Sequence, residues 1–155
     1  MDKYLIKKLN TYELMLLSFL NQYNDTEQML NENTYKIANG DIDIFGLFCA
    51  DKIIGEIRVA YKSNDDSFCI PGRRAYLYAF RIQKDFQGNG LGQHLLEYVL
   101  NTLRSDGYTE FTVGVKDDNL LAKHIYDKNG FTTVVERKFE TYQGDSYEYD
   151  LLLKT

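Results

Sequence analysis

Residues 87–100 read QGNGLGQHLLEYVL. Glycines at 88, 90 and 92 lead into apolar residues with a helical period. Leu91, Leu95, Leu96, Val99, Leu100 and Leu103 make one broad stripe, and Gly107 supplies a C-terminal stop. AYLYAFRI (75–82) before this stretch and EFTVGV (110–115) after it read as strands. A strand–helix–strand unit implies two parallel strands joined by a right-handed crossover. Glycine is a poor helix former, so three at the helix mouth need a reason. One is a bare helix N-terminus for an anion, where unpaired N–H groups and the helix dipole favour negative charge. The other is a turn that needs positive φ. The glycines alone fit both.

Working outward, YLIKKL (4–9) alternates as a strand, and TYELMLLSFLNQY (11–23) has helical spacing with Thr11 as its cap. DTEQMLNENTYKIAN (25–39) is a more polar helix opened by Asp25 or Thr26. FGLFCA (45–50) and IIGEIRVA (53–60) form a hairpin about Asp51-Lys52, and SNDDSFCIPGRR (63–74) is a turn-rich loop. In AYLYAFRI, alternation puts Tyr76, Tyr78, Phe80 and Ile82 on one face. NLLAKHIYDKN (119–129) is a helix opened by Asp118 or Asn119 and closed by Gly130. TTVVERKFETY (132–142) and SYEYDLLLK (146–154) are a final hairpin. The order β-α-α-β-β-β-α-β-α-β-β predicts an α/β chain with a mixed sheet and helices on its faces, one domain over 1–155.

The composition narrows the function. With 155 residues, 44% hydrophobic and 26% charged, the profile is that of a globular protein. The net charge is −5 and Lys/Arg residues do not cluster, which argues against nucleic acid as a partner. No apolar run is long enough to span a bilayer, and MDKYLIKKLN has no signal-peptide core; a cytoplasmic protein without a membrane partner is expected. Cys49 and Cys69 lie in no metal-like spacing. Cys49 reads as a small buried hydrophobe, with a disulfide between the two as the alternative, and no metal is expected.

Two phosphate motifs can be set aside. A P-loop requires Gly-Lys-Ser/Thr, but Gln93 follows Gly92; a dinucleotide fingerprint requires glycine where Gln93 stands. Gln87-Gly88-Asn89-Gly90-Leu91-Gly92 instead matches Q/R-x-x-G-x-G/A. Downstream, NLLAKHIYDKNGF matches N-x-x-A-x-x-x-Y-x-x-x-G-F at Asn119, Ala122, Tyr126, Gly130 and Phe131. Together these resemble the GNAT acyltransferase superfamily, specifically from Ala75 to Phe131 and by element order elsewhere.

The resemblance implies a mostly antiparallel sheet with a central splayed parallel pair, helices on both faces, and acetyl-CoA as co-substrate. The strand before the glycines would carry a bulge. Backbone at Phe80, Arg81 and Ile82 would meet the pantetheine arm. The N–H groups from Gly88 through Asn89, Gly90, Leu91 and Gly92 to Gln93, behind Gln87, would meet the pyrophosphate. Asn119 would bind the cofactor, cap the helix, or do both. Tyr126 would protonate the departing thiolate as general acid. Lys123 and Lys128 are candidates for the 3′-phosphate, while His94 and His124 read as solvated side chains.

The group that deprotonates the amine is less legible. Relatives place a carboxylate on the strand before the glycines, where AYLYAF has none, or five residues before the asparagine, where Gly114 stands. A water relay to Glu56, to Tyr78 or to a backbone carbonyl is the remaining route. The resulting expectation is an N-acetyltransferase acting on an amine-bearing small molecule or peptide. Two rivals are a non-catalytic acyl-CoA-binding module on the same fold and a nucleotide-binding domain. Asp65, Asp66, Asp145 and Glu148 would favour a cationic acceptor, and the final strands would form the edge of a homodimer.

Overall fold

The computed structural model describes residues 3–17, 26–142 and 144–155. Strands β1 (Tyr4–Lys8), β2 (Ile42–Cys49), β3 (Lys52–Ala60), β4 (Arg74–Ile82), β5 (Glu110–Lys116), β6 (Thr133–Tyr142) and β7 (Asp145–Lys154) form one sheet in the order β1-β2-β3-β4-β5-β7-β6. Among the described residues only β4 and β5 pair in parallel; their crossover is α2 (Leu91–Ser105). The other helices are α1 (Thr26–Ala38) and α3 (Leu120–Lys128). The expected mixed sheet with one parallel pair is therefore the observed architecture.

The stripe on α2 explains its seat. Leu95, Leu96, Val99 and Leu103 are fully buried against Phe45, Leu47, Ile57, Val59, Leu77 and Phe111 of the sheet. Each such side chain stabilises the fold by about 2 kcal/mol. Tyr126 and Phe131 extend the same layer beneath α3. The opposite face is covered by a second cluster of Leu14, Leu17, Ile42, Ile44 and Ile53, joined by Leu30 and Ile37 of α1.

Three local expectations change. The first helix starts as a 3-10 turn, Glu13–Leu17, and its cap is Asn10 rather than Thr11. Asn10 Oδ1 accepts from Glu13 N at 3.0 Å while the Glu13 carboxylate accepts from Asn10 N, a reciprocal capping box. The rest of the expected helix, 18–23, and the Asp25 cap lie outside the described residues. Of the two cysteines, Cys69 is the buried one; both are free thiols.

The third change is on β4. Arg58 pairs with Tyr78 and Glu56 with Arg81, so two residues of β4, Ala79 and Phe80, oppose the single Ile57 of β3. Ala79 takes up the difference at φ 51, a left-handed conformation rare outside glycine. The bulge flips the side-chain alternation. Tyr76 and Tyr78 stay together, rings stacked at 5.5 Å, while Phe80 and Ile82 turn to the α2 side against Gly92. The four are not on one face. Among the described residues, no helix is long and apolar enough to cross a membrane.

Candidate active site

The pairing of β4 with β5 ends at Leu77–Val113, beyond which the strands part. A cleft of about 750 Å³ opens there, within the range of small-molecule sites. Tyr78 to Ile82 of β4, the glycine loop, the first turn of α2, and Asn119 and Tyr126 all line it. Of the residues expected to meet the pantetheine arm, the pyrophosphate or the thioester, only Asn89 is off the lining; its side chain turns back toward the Phe86 carbonyl at 3.5 Å.

The glycines divide their work. Gly88 and Gly90 have φ of 82 and 77, and a Cβ on either would meet nothing within 4 Å. Gly90 is the N-cap of α2, whose first helical bond runs from His94 N to the Gly90 carbonyl. The amides just before His94 therefore lack a carbonyl four residues back, and they face the cleft with the positive end of the helix dipole. Gly92 lies inside the helix, where a Cβ would sit 3.4 Å from the Phe80 ring. The stretch is a positive-φ turn, and that turn leaves the helix end bare.

Side chains hold this loop in place. Gln87 donates to the Ile82 carbonyl at 2.8 Å, tying the loop to the end of β4. Gln93 and Asn129 exchange amide hydrogen bonds at 2.7 and 2.8 Å, clamping the start of α2 to the end of α3. Asn129 was not singled out in the sequence, where an amide after a helix looks like a C-cap.

Asn119 caps α3, its Oδ1 accepting from Ala122 N at 3.1 Å. The cap uses the oxygen, which leaves the side-chain NH2 as a donor at the cleft wall. Tyr126, 7% exposed, packs between Phe80 and Phe131 at ring distances of 6.4 and 5.6 Å. Burial pushes its phenol up to about 12, so at neutral pH it is a proton donor.

Tyr78 also lines the cleft, whereas Glu56 lies behind the lining with no exposed surface. Arg58 Nε donates to one Glu56 oxygen at 2.7 Å, and Arg81 Nε stands 2.9 Å from the other, off the axis of a hydrogen bond. Lys128 and His124 reach the cleft rim, but Lys123 and His94 do not. Asp65 is drawn to Lys138 and Ser67, and Glu148 toward Arg137. Among the described residues no His/Cys/Asp/Glu group could hold a metal ion. Phe86, Gly114 and Lys116 also line the cleft; no local sequence pattern marks them, because only the splay of β4 from β5 brings them together.

Comparison with known proteins agrees with this geometry. The chain is 28% identical over 75 residues to GCN5-related N-acetyltransferase 6, chloroplastic, of Arabidopsis thaliana, covering 48% of this chain and 26% of that protein. It is 32% identical over 72 residues to the ribosomal protein bS18 alanine N-acetyltransferase of Salmonella typhimurium, covering 45% and 49%. The matched regions thus span about a quarter and about half of these curated relatives. The crystal structure of PaiA N-acetyltransferase from Thermoplasma acidophilum, in complex with coenzyme A, superposes with a TM-score of 0.67 at 21% identity, covering 97% and 98%. The sequence profile described as acetyltransferase (GNAT) family matches residues 9–131, and the chain belongs to that family.

Proposed function

We propose that the chain transfers the acetyl group of acetyl-CoA directly to a primary amine. The observation that carries this reading is the position of Tyr126, a buried phenol on the wall of a cleft floored by the bare N-terminus of α2. The amides of the glycine loop and the first turn of α2, from Gly88 to Gln93, would receive the pyrophosphate. The backbone of Phe80, Arg81 and Ile82, left without a strand partner on the β5 side, would hold the pantetheine arm, with Asn119 beside it. Binding alone has little need of a proton donor, whereas thioester aminolysis must protonate a leaving thiolate.

The amine attacks the thioester carbonyl, N–H groups of the splayed strand stabilise the oxyanion, and Tyr126 returns a proton to sulfur. From a phenol at about 12 to a free thiol at about 8.5, that transfer would be uphill by about 5 kcal/mol. A thiolate expelled into the same buried cleft is raised too, which narrows the gap. Free thiols at Cys49 and Cys69 suit a reducing compartment such as the cytoplasm. A homodimer, if formed, would use β6, the sheet edge carrying exposed Phe139.

The test is release of free coenzyme A from acetyl-CoA with spermidine, kanamycin, L-lysine and an alanine-initiated peptide as acceptors, beside a thermal-shift titration with acetyl-CoA. Turnover of one acceptor is expected. Stabilisation by acetyl-CoA without turnover of any would leave a binding module, and no stabilisation would overturn the reading.

A further inference from the structure

An amine acceptor arrives as an ammonium ion and must lose a proton before it attacks. Neither usual station supplies an acid: β4 presents Tyr76 and Tyr78, and β5 presents Gly114. The space over Gly114 is nevertheless filled. A Cβ there would lie 2.8 Å from Tyr149 Cε2 and 3.0 Å from Cδ2, and 3.7 Å from the Tyr76 hydroxyl. Gly114 and Tyr76 line the cleft, so Tyr149 stands directly behind its wall.

Tyr149 also leads outward. Its hydroxyl donates to Glu140 Oε1 at 2.5 Å, and the Tyr147 hydroxyl donates to Glu140 Oε2 at 3.1 Å. Tyr149 is 5% exposed, whereas Glu140 on β6 is exposed. One phenol therefore runs from the cleft wall at Gly114 to a carboxylate in contact with water. The charged and titratable groups around that carboxylate are few. Tyr76 faces it from β4 and Tyr147 and Tyr149 from β7. Lys116 of β5 sits over the Tyr147 ring at 4.2 Å, and Lys138 of β6 is engaged by Glu136 and Asp65.

We propose that Tyr149 and Glu140 together accept the proton of the acceptor amine, in place of the carboxylate missing at Gly114. Tyr149 Oη takes a proton from the ammonium through a water relay, as its own hydroxyl proton passes to Glu140. The amine is left neutral with its lone pair available, Tyr149 is regenerated, and Glu140 as a carboxylic acid returns the proton to solvent. The inference rests on the acetyltransferase reading above.

The experiment is kcat/KM against pH for wild type, Glu140→Gln and Tyr149→Phe, with the best acceptor among the four amines. Glu140 is exposed and Tyr149→Phe keeps the ring, so both variants preserve the packing. Each should lose about tenfold or more near neutral pH. The loss should shrink as pH approaches the amine's own pKa, and it should be larger for a lysine-type amine of about 10.4 than for a peptide α-amine of about 8. The KM for acetyl-CoA should stay unchanged. Variant profiles parallel to wild type, whether superimposed or displaced uniformly, would overturn the inference. Wild-type turnover of none of the four amines would instead overturn the transferase reading, and this inference with it.

Discussion

The ring edge of Tyr149 lies on the backbone of Gly114, so close that a Cβ would come within 2.8 Å of it. Tyr149 is anchored at its far end by Glu140 and cannot swing away freely. Gly114→Ala should therefore overpack this contact and cost about 1–3 kcal/mol, read as a lowered denaturation midpoint. Gly114 is not a positive-φ residue, so strain of the backbone plays no part. Wild-type stability in this variant would mean that the ring yields.

Tyr126→Phe keeps the ring packed between Phe80 and Phe131 and removes only the hydroxyl. Turnover should fall by about a hundredfold or more, the scale of a lost general acid. Acetyl-CoA affinity, measured by calorimetry, should change little. Unaltered turnover would take Tyr126 out of the chemistry.

Gly88→Ala and Gly90→Ala place a methyl group where the chain has none within 4 Å, at φ values that disfavour it. Each should cost about 1–2 kcal/mol of stability from the left-handed conformation. A loss of coenzyme A affinity comes on top, since the open space is where the pyrophosphate would lie. Gly92→Ala should behave oppositely in stability, gaining up to about 1 kcal/mol of helix propensity while its methyl group meets the Phe80 ring at van der Waals distance. Equal coenzyme A affinity in wild type and both of the first two variants would remove the anion from the glycine loop.

The stripe on α2, the strand–glycine–helix unit and the order of elements were legible because each follows from local periodicity. Asn119 and Tyr126 stand out by the resemblance of NLLAKHIYDKNGF to the family segment rather than by periodicity, and the fold brings both to the cleft wall. The bulge at Ala79 was not readable by alternation, since nothing in AYLYAF distinguishes a residue that will oppose none of its neighbours. Side chains that act across strands were equally hidden. Tyr149 and Glu140 are nine residues apart in a hairpin, but their relation to Gly114 depends on β7 pairing beside β5. The same holds for Gln93 and Asn129, which are separated by a whole helix–strand–helix unit.

Glu56→Gln would leave two guanidinium groups against a neutral amide at a site with no exposed surface. Removing one partner of a buried ion cluster typically costs about 3–5 kcal/mol, and partial exposure of Arg81 favours the lower end. Chemical denaturation should show that loss. The pH profile of the folded variant should superimpose on wild type, because both carboxylate oxygens are already held against the Arg58 and Arg81 guanidinium groups. A displaced profile would restore Glu56 as the group that receives the amine's proton.

Alkaline pH provides a test of the buried tyrosines together. Burial is the leading cause that holds Tyr61, Tyr76, Tyr126 and Tyr149 above a free phenol, with Asp43 adding to it at Tyr61 and Glu140 at Tyr76 and Tyr149. A free phenol ionises near about 10. Above that pH the unfolded chain releases protons that the folded chain keeps, so the folded state binds more protons and loses stability as pH rises. Their contribution is fully present below about pH 10 and declines through 12, where Tyr126 itself titrates. The melting temperature should fall with increasing steepness above pH 10, and phenolate absorbance should show a late step coincident with loss of circular dichroism. A smooth rise accounting for all 13 tyrosines before the fold opens would contradict their burial.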